Sequence, residues 1–76
     1  MTENQENILS QIMDTKNVHE KLKLLEDNRD LLDARMLGNL AVIFDILPDT
    51  ENLEELYEHI VQYLQTRARF EPERLR

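Results

Sequence analysis

"MLGNLAVIFDIL", residues 36–47, decides the fold, because only Gly38, Asn39 and Asp45 among its twelve positions are not apolar. Leu32, Met36, Leu40, Ile43 and Leu47 follow one another by four, four, three and four residues, so they share one helix face. Leu37, Ala41 and Phe44 make a second face, and Val42 with Ile46 a third. A helix apolar on nearly every side is expected to be buried on nearly every side. The spacing therefore predicts a central helix over 31–47, with Asp30 as its N-cap, Asp33 near the positive end of its dipole and Pro48 closing it. Gly38 costs about 1 kcal/mol relative to alanine inside a helix, which predicts either another backbone passing close to it or a break at Gly38 and Asn39. Val42, Ile43, Phe44 and Ile46 are also good strand formers. No other segment alternates with period two, however, and one strand makes no sheet.

Three further helical segments surround this one. Ile8, Leu9, Ile12 and Met13 form a short stripe with Glu6, Ser10, Gln11 and Asp14 as polar neighbours, a helix expected to fray. Asn17 is placed to cap the next helix, with Glu20 three residues on completing a capping box, and Val18, Leu22 and Leu25 line its inner face. Lys16, Glu20, Lys21 and Lys23 read as a solvated face. "EDNRD", residues 26–30, is a turn by composition. Beyond Pro48, Asp49, Thr50 and Asn52 all offer caps for a last helix whose stripe is Leu53, Leu56, Tyr57, Ile60, Val61 and Leu64. Tyr63 lies at the edge of that stripe, and Pro72 ends the helix near Phe70. The expected fold is all-α, a small four-helix bundle of one domain over 1–76, with 1–6 and 71–76 as mobile ends.

Composition narrows the classes of function. The chain has 76 residues, no cysteine and a formal charge of -7. A chain this short has a thin margin of stability, and without disulfides the common remaining remedy is oligomerisation. The opening "MTENQEN" is polar and acidic where a secretory signal is basic and then apolar, which gives the expectation of a cytoplasmic protein. Twelve helical residues reach about 18 Å, short of a bilayer core of ~30 Å, so no membrane partner is expected.

No chemical motif emerges. Glu55 and His59 share a helix face, but neither a Glu-x-x-His nor a His-Glu-x-x-His spacing is present, so no metal is expected. One glycine builds no phosphate loop, and the hydroxyl residues lack a nearby base, so neither an enzyme nor a cofactor is expected. Residues 1–66 carry fourteen acids against five bases, a balance that repels nucleic acid; only Arg67, Arg69, Arg74 and Arg76 run the other way. Asp45, Asp49, Glu51, Glu54, Glu55 and Glu58 occur with no Lys or Arg between them. They serve a helix start and solubility, or form a negative surface that steers a basic partner.

"LLEDNRDLLDARMLGNL", residues 24–40, resembles the Leu-rich segments with an acidic Asn-x-x-Leu-Leu turn that flank tetratricopeptide arrays in bacterial multidomain proteins. The matching positions are Leu25, Asn28, Leu31, Leu32, Leu37 and Leu40, with Arg29 where a proline is usual. The resemblance implies helix pairs used for protein contacts and assigns no functional residue.

Two short helices and one amphipathic helix leave part of the apolar segment uncovered. This predicts a protein-interaction module, a homodimer in contact through Val42, Ile46, Tyr57 and Tyr63. The alternative is an acidic inhibitor or antitoxin-like regulator that blocks a basic partner through residues 45–58.

Overall fold

The structure, a computed structural model, describes residues 2–50 and 52–70. Among these described residues four α-helices follow one another: α1 (Glu3–Asp14), α2 (Val18–Asp27), α3 (Ala34–Ile43) and α4 (Leu53–Phe70), with one 3-10 turn at Arg29–Leu31. The fold is the all-α four-helix bundle that the periodicity predicts. Each helix has two principal neighbours: α1 packs on α2 and α3, and α4 packs on the same two. Ile12, Leu25, Met36, Leu37, Leu40 and Ile60 are the largest fully buried side chains, so every helix contributes to one core.

The amino-terminal end departs from expectation. Residues 2–6 are built into the fold, because Thr2 and Gln5 form the reciprocal capping box: the Gln5 N–H donates to Thr2 Oγ1 at 3.2 Å and the Thr2 N–H to Gln5 Oε1 at 2.9 Å. The amide nitrogen of Gln5 then donates to the Leu31 carbonyl and to Asp33 Oδ2, both at 2.8 Å. Gln5 is buried with its polar atoms in use, and it ties α1 to the entrance of α3. Asn17 caps α2 as expected, its Oδ1 accepting from the His19 and Glu20 N–H groups, but the predicted capping box is not completed, since the Glu20 carboxylate does not accept from the Asn17 N–H.

Helix α3 is shorter than predicted at both ends. Asp30 lies in the 3-10 turn, and the N-cap is Asp33, whose Oδ1 accepts from the Met36 N–H at 2.9 Å. Leu32 before the cap and Leu37 in the second turn are both in the core, the arrangement of a hydrophobic staple. At the far end the Ile46 N–H donates to the Ala41 carbonyl and the Asp45 N–H to the Val42 carbonyl, with Asp45 left-handed at φ 61°. This is a Schellman stop with aspartate in the usual glycine position. Leu47 precedes Pro48 and is disfavoured in the α region, so the chain must leave the helix before it.

The helix runs unbroken through Gly38, and a Cβ built there meets nothing within 4 Å. Both expectations for Gly38 are therefore overturned. Burial is confined to Met36, Leu37, Leu40 and Ala41 on two adjoining faces, rather than spread all round. For α4, Asn52 is the cap, its Oδ1 accepting from Glu54 and Glu55 N–H groups while its own N–H donates to Thr50 Oγ1.

Candidate interaction surface

Apolar side chains at and beyond the end of α3 are left exposed among the described residues. Val42 is 78% exposed and Leu47 92%, with Ile43 at 42% between them. Met13, at the end of α1, is 50% exposed and lines the same groove as Ile43.

That groove has a volume of about 300 Å³. Its apolar lining includes Met13, Ile43, Phe44 and Tyr63, and its charged lining is Lys16, Lys21 and Arg67. Phe44 and Tyr63 stack with ring centroids 5.5 Å apart and planes at 22°. Lys21 Nζ sits 5.2 Å from the Phe44 centroid, within cation–π range. Arg67 donates to the Tyr63 hydroxyl at 3.0 Å and lies over the same ring at 5.8 Å. No carboxylate stands among the described residues lining the groove. The cleft between α1 and α2 differs in sign, carrying Asp14, Glu20 and Asp27 with Lys23.

The four residues predicted to make contact divide into three kinds. Val42 faces solvent, while Tyr63 is half-buried in the groove and Ile46 half-buried against the core. Tyr57 is a correction, being 8% exposed and part of the core. Its hydroxyl donates to Glu26 Oε1 at 3.3 Å, and the Arg29 guanidinium lies 4.5 Å from its ring centroid. Burial first, then the charge and hydrogen bond of Glu26, push the phenol above its ordinary value of 10.0, against the opposing pull of Arg29.

The acidic residues are outside. Asp45, Asp49, Glu54, Glu55 and Glu58 are exposed, and Glu51 lies outside the described residues. Glu54 and Glu55 occupy the first turn of α4, where the helix dipole favours negative charge. His59 pairs through Nδ1 with the backbone carbonyl of Glu55 at 2.7 Å, not with its carboxylate. Among the described residues, no three His, Cys, Asp or Glu side chains gather so as to hold a metal, and no helix is long and apolar enough to cross a membrane.

Sequence reasoning missed the basic groove. Lys16, Lys21 and Arg67 come from the α1–α2 connection, α2 and α4, and each alone reads as a solvated charge. The one sequence signal was their scarcity: 9 bases stand against 16 acids, so any cluster of three is notable. The chain matches no protein-family model, no curated protein and no solved structure.

Proposed function

We propose that this protein is a small, non-enzymatic interaction module that forms a homodimer through the apolar end of α3. The observation that carries the reading is the exposure of Val42, Ile43 and Leu47 within six consecutive positions. Single exposed apolar side chains are ordinary on protein surfaces, but three of them close together beside a groove that has apolar side chains in its lining mark a contact surface. The size of the chain points the same way, since association adds core that 76 residues supply sparingly.

Sedimentation equilibrium across a concentration series tests the reading. The wild type is expected to dimerise, and Val42→Glu to dissociate the dimer while keeping its helical circular dichroism. A wild type that stays monomeric at high concentration overturns the reading. A second reading, a blocker of a basic partner through residues 45–58, draws on the exposure of the five described carboxylates there. It predicts a complex with a basic protein that raised salt dissolves and Val42→Glu leaves intact.

A further inference from the structure

The geometry points to a specific seating within that dimer, and so rests on the homodimer reading: Leu47 of each copy, flanked by Asp45 and Asp49, enters the basic groove of the other copy beside Lys16 and Lys21. The groove sets three cations beside apolar side chains on a chain of formal charge -7, so its complement is an apolar anchor between acids. The chain presents such an anchor itself. Leu47 is 92% exposed, with an exposed aspartate two positions to either side of it.

The placement of the two halves favours a closed pair. Ile43 and Phe44 line the groove and Leu47 follows them by only a few residues, so groove and anchor lie close together along the chain. A two-fold axis beside them lets both anchors enter both grooves at once, which closes the assembly at two copies and leaves no free end for a filament. Like charges are also separated by this arrangement, because the acids flanking each anchor meet the partner's lysines rather than the partner's acids.

Complementary charge reversal tests it. One variant carries Lys16→Glu and Lys21→Glu; the other carries Asp45→Asn and Asp49→Lys, asparagine being chosen because it tolerates the left-handed conformation. Each alone is expected to be a folded monomer, and an equimolar mixture to form a heterodimer, since both contacts are restored in it. Leu47→Asp, at a site too exposed to affect folding, is expected to weaken dimerisation roughly 10- to 100-fold. If either reversed variant still dimerises like the wild type, or the mixture stays monomeric, the seating is overturned while the homodimer through α3 stands. A monomeric wild type that binds a synthetic Glu-Leu-Leu-Glu repeat peptide assigns the groove to a separate acidic partner and overturns both. Unchanged dimerisation of Leu47→Asp overturns the seating alone.

Discussion

Gly38 and Asp45 are each the wrong residue for their backbone, in opposite senses. Gly38 has ordinary helical geometry and open space where a Cβ would go. Gly38→Ala is therefore expected to stabilise the fold by about 1 kcal/mol, raising the melting temperature by roughly 4–8 °C in a thermal scan. Asp45 holds a positive φ that glycine adopts without strain, so Asp45→Gly is expected to raise the urea midpoint, by roughly 0.5–1 kcal/mol in stability. Asp33 gives a pH dependence. The Met36 N–H, and then the Gln5 amide, hold its carboxyl below the ordinary 3.8. A lowered carboxyl stabilises the fold at all pH values above its unfolded-state value, and that contribution disappears as pH falls through the lowered value. Urea unfolding as a function of pH should show a steeper acid decline for the wild type than for Asp33→Asn, which has no proton to take up there.

At the scale of elements, α1 is held by Gln5 as well as by its apolar stripe. Gln5→Ala leaves the Leu31 carbonyl and one Asp33 oxygen without their partner, and is expected to cost about 1–3 kcal/mol. Hydrogen exchange should then speed up in α1 and at the start of α3 while α2 and α4 keep their protection. The four helices were legible as such, because Leu25, Leu40, Ile60 and their neighbours recur with a period near 3.6. The cap at Asn17, which acts within three residues, was legible too, whereas that of α4 was narrowed only to Asp49, Thr50 or Asn52. The start of α3 at Asp33 was not, since Asp30 and Asp33 both offer a side chain at the right distance from a helical N–H, and its end at Ile43 depends on a left-handed aspartate that composition does not announce. The groove was illegible for a related reason: Lys21 meets Phe44, and Tyr63 meets Phe44, only after α2, α3 and α4 have folded together.

For the molecule as a whole the margin is narrow. At 76 residues the expected stability is roughly 4–11 kcal/mol, and removing a fully buried side chain takes a large share of it. Leu40→Ala is expected to cost about 2–5 kcal/mol and to leave a measurable unfolded fraction by circular dichroism, whereas Val42→Ala, at 78% exposure, should leave the monomer's stability almost unchanged. The position of α4 has a consequence during synthesis. Tyr57, Ile60 and Leu64 close the core from the last helix, yet the sticky 36–47 stretch is translated before them. At about 5–20 residues per second, the eighteen residues of α4 add roughly one to four seconds in which a ribosome carries that stretch unroofed. Chains held on the ribosome by a carboxy-terminal extension, with residues 36–47 outside the exit tunnel and α4 still inside it, should accordingly be cut readily by protease and bound by holding chaperones, and both vulnerabilities should vanish once Phe70 clears the tunnel.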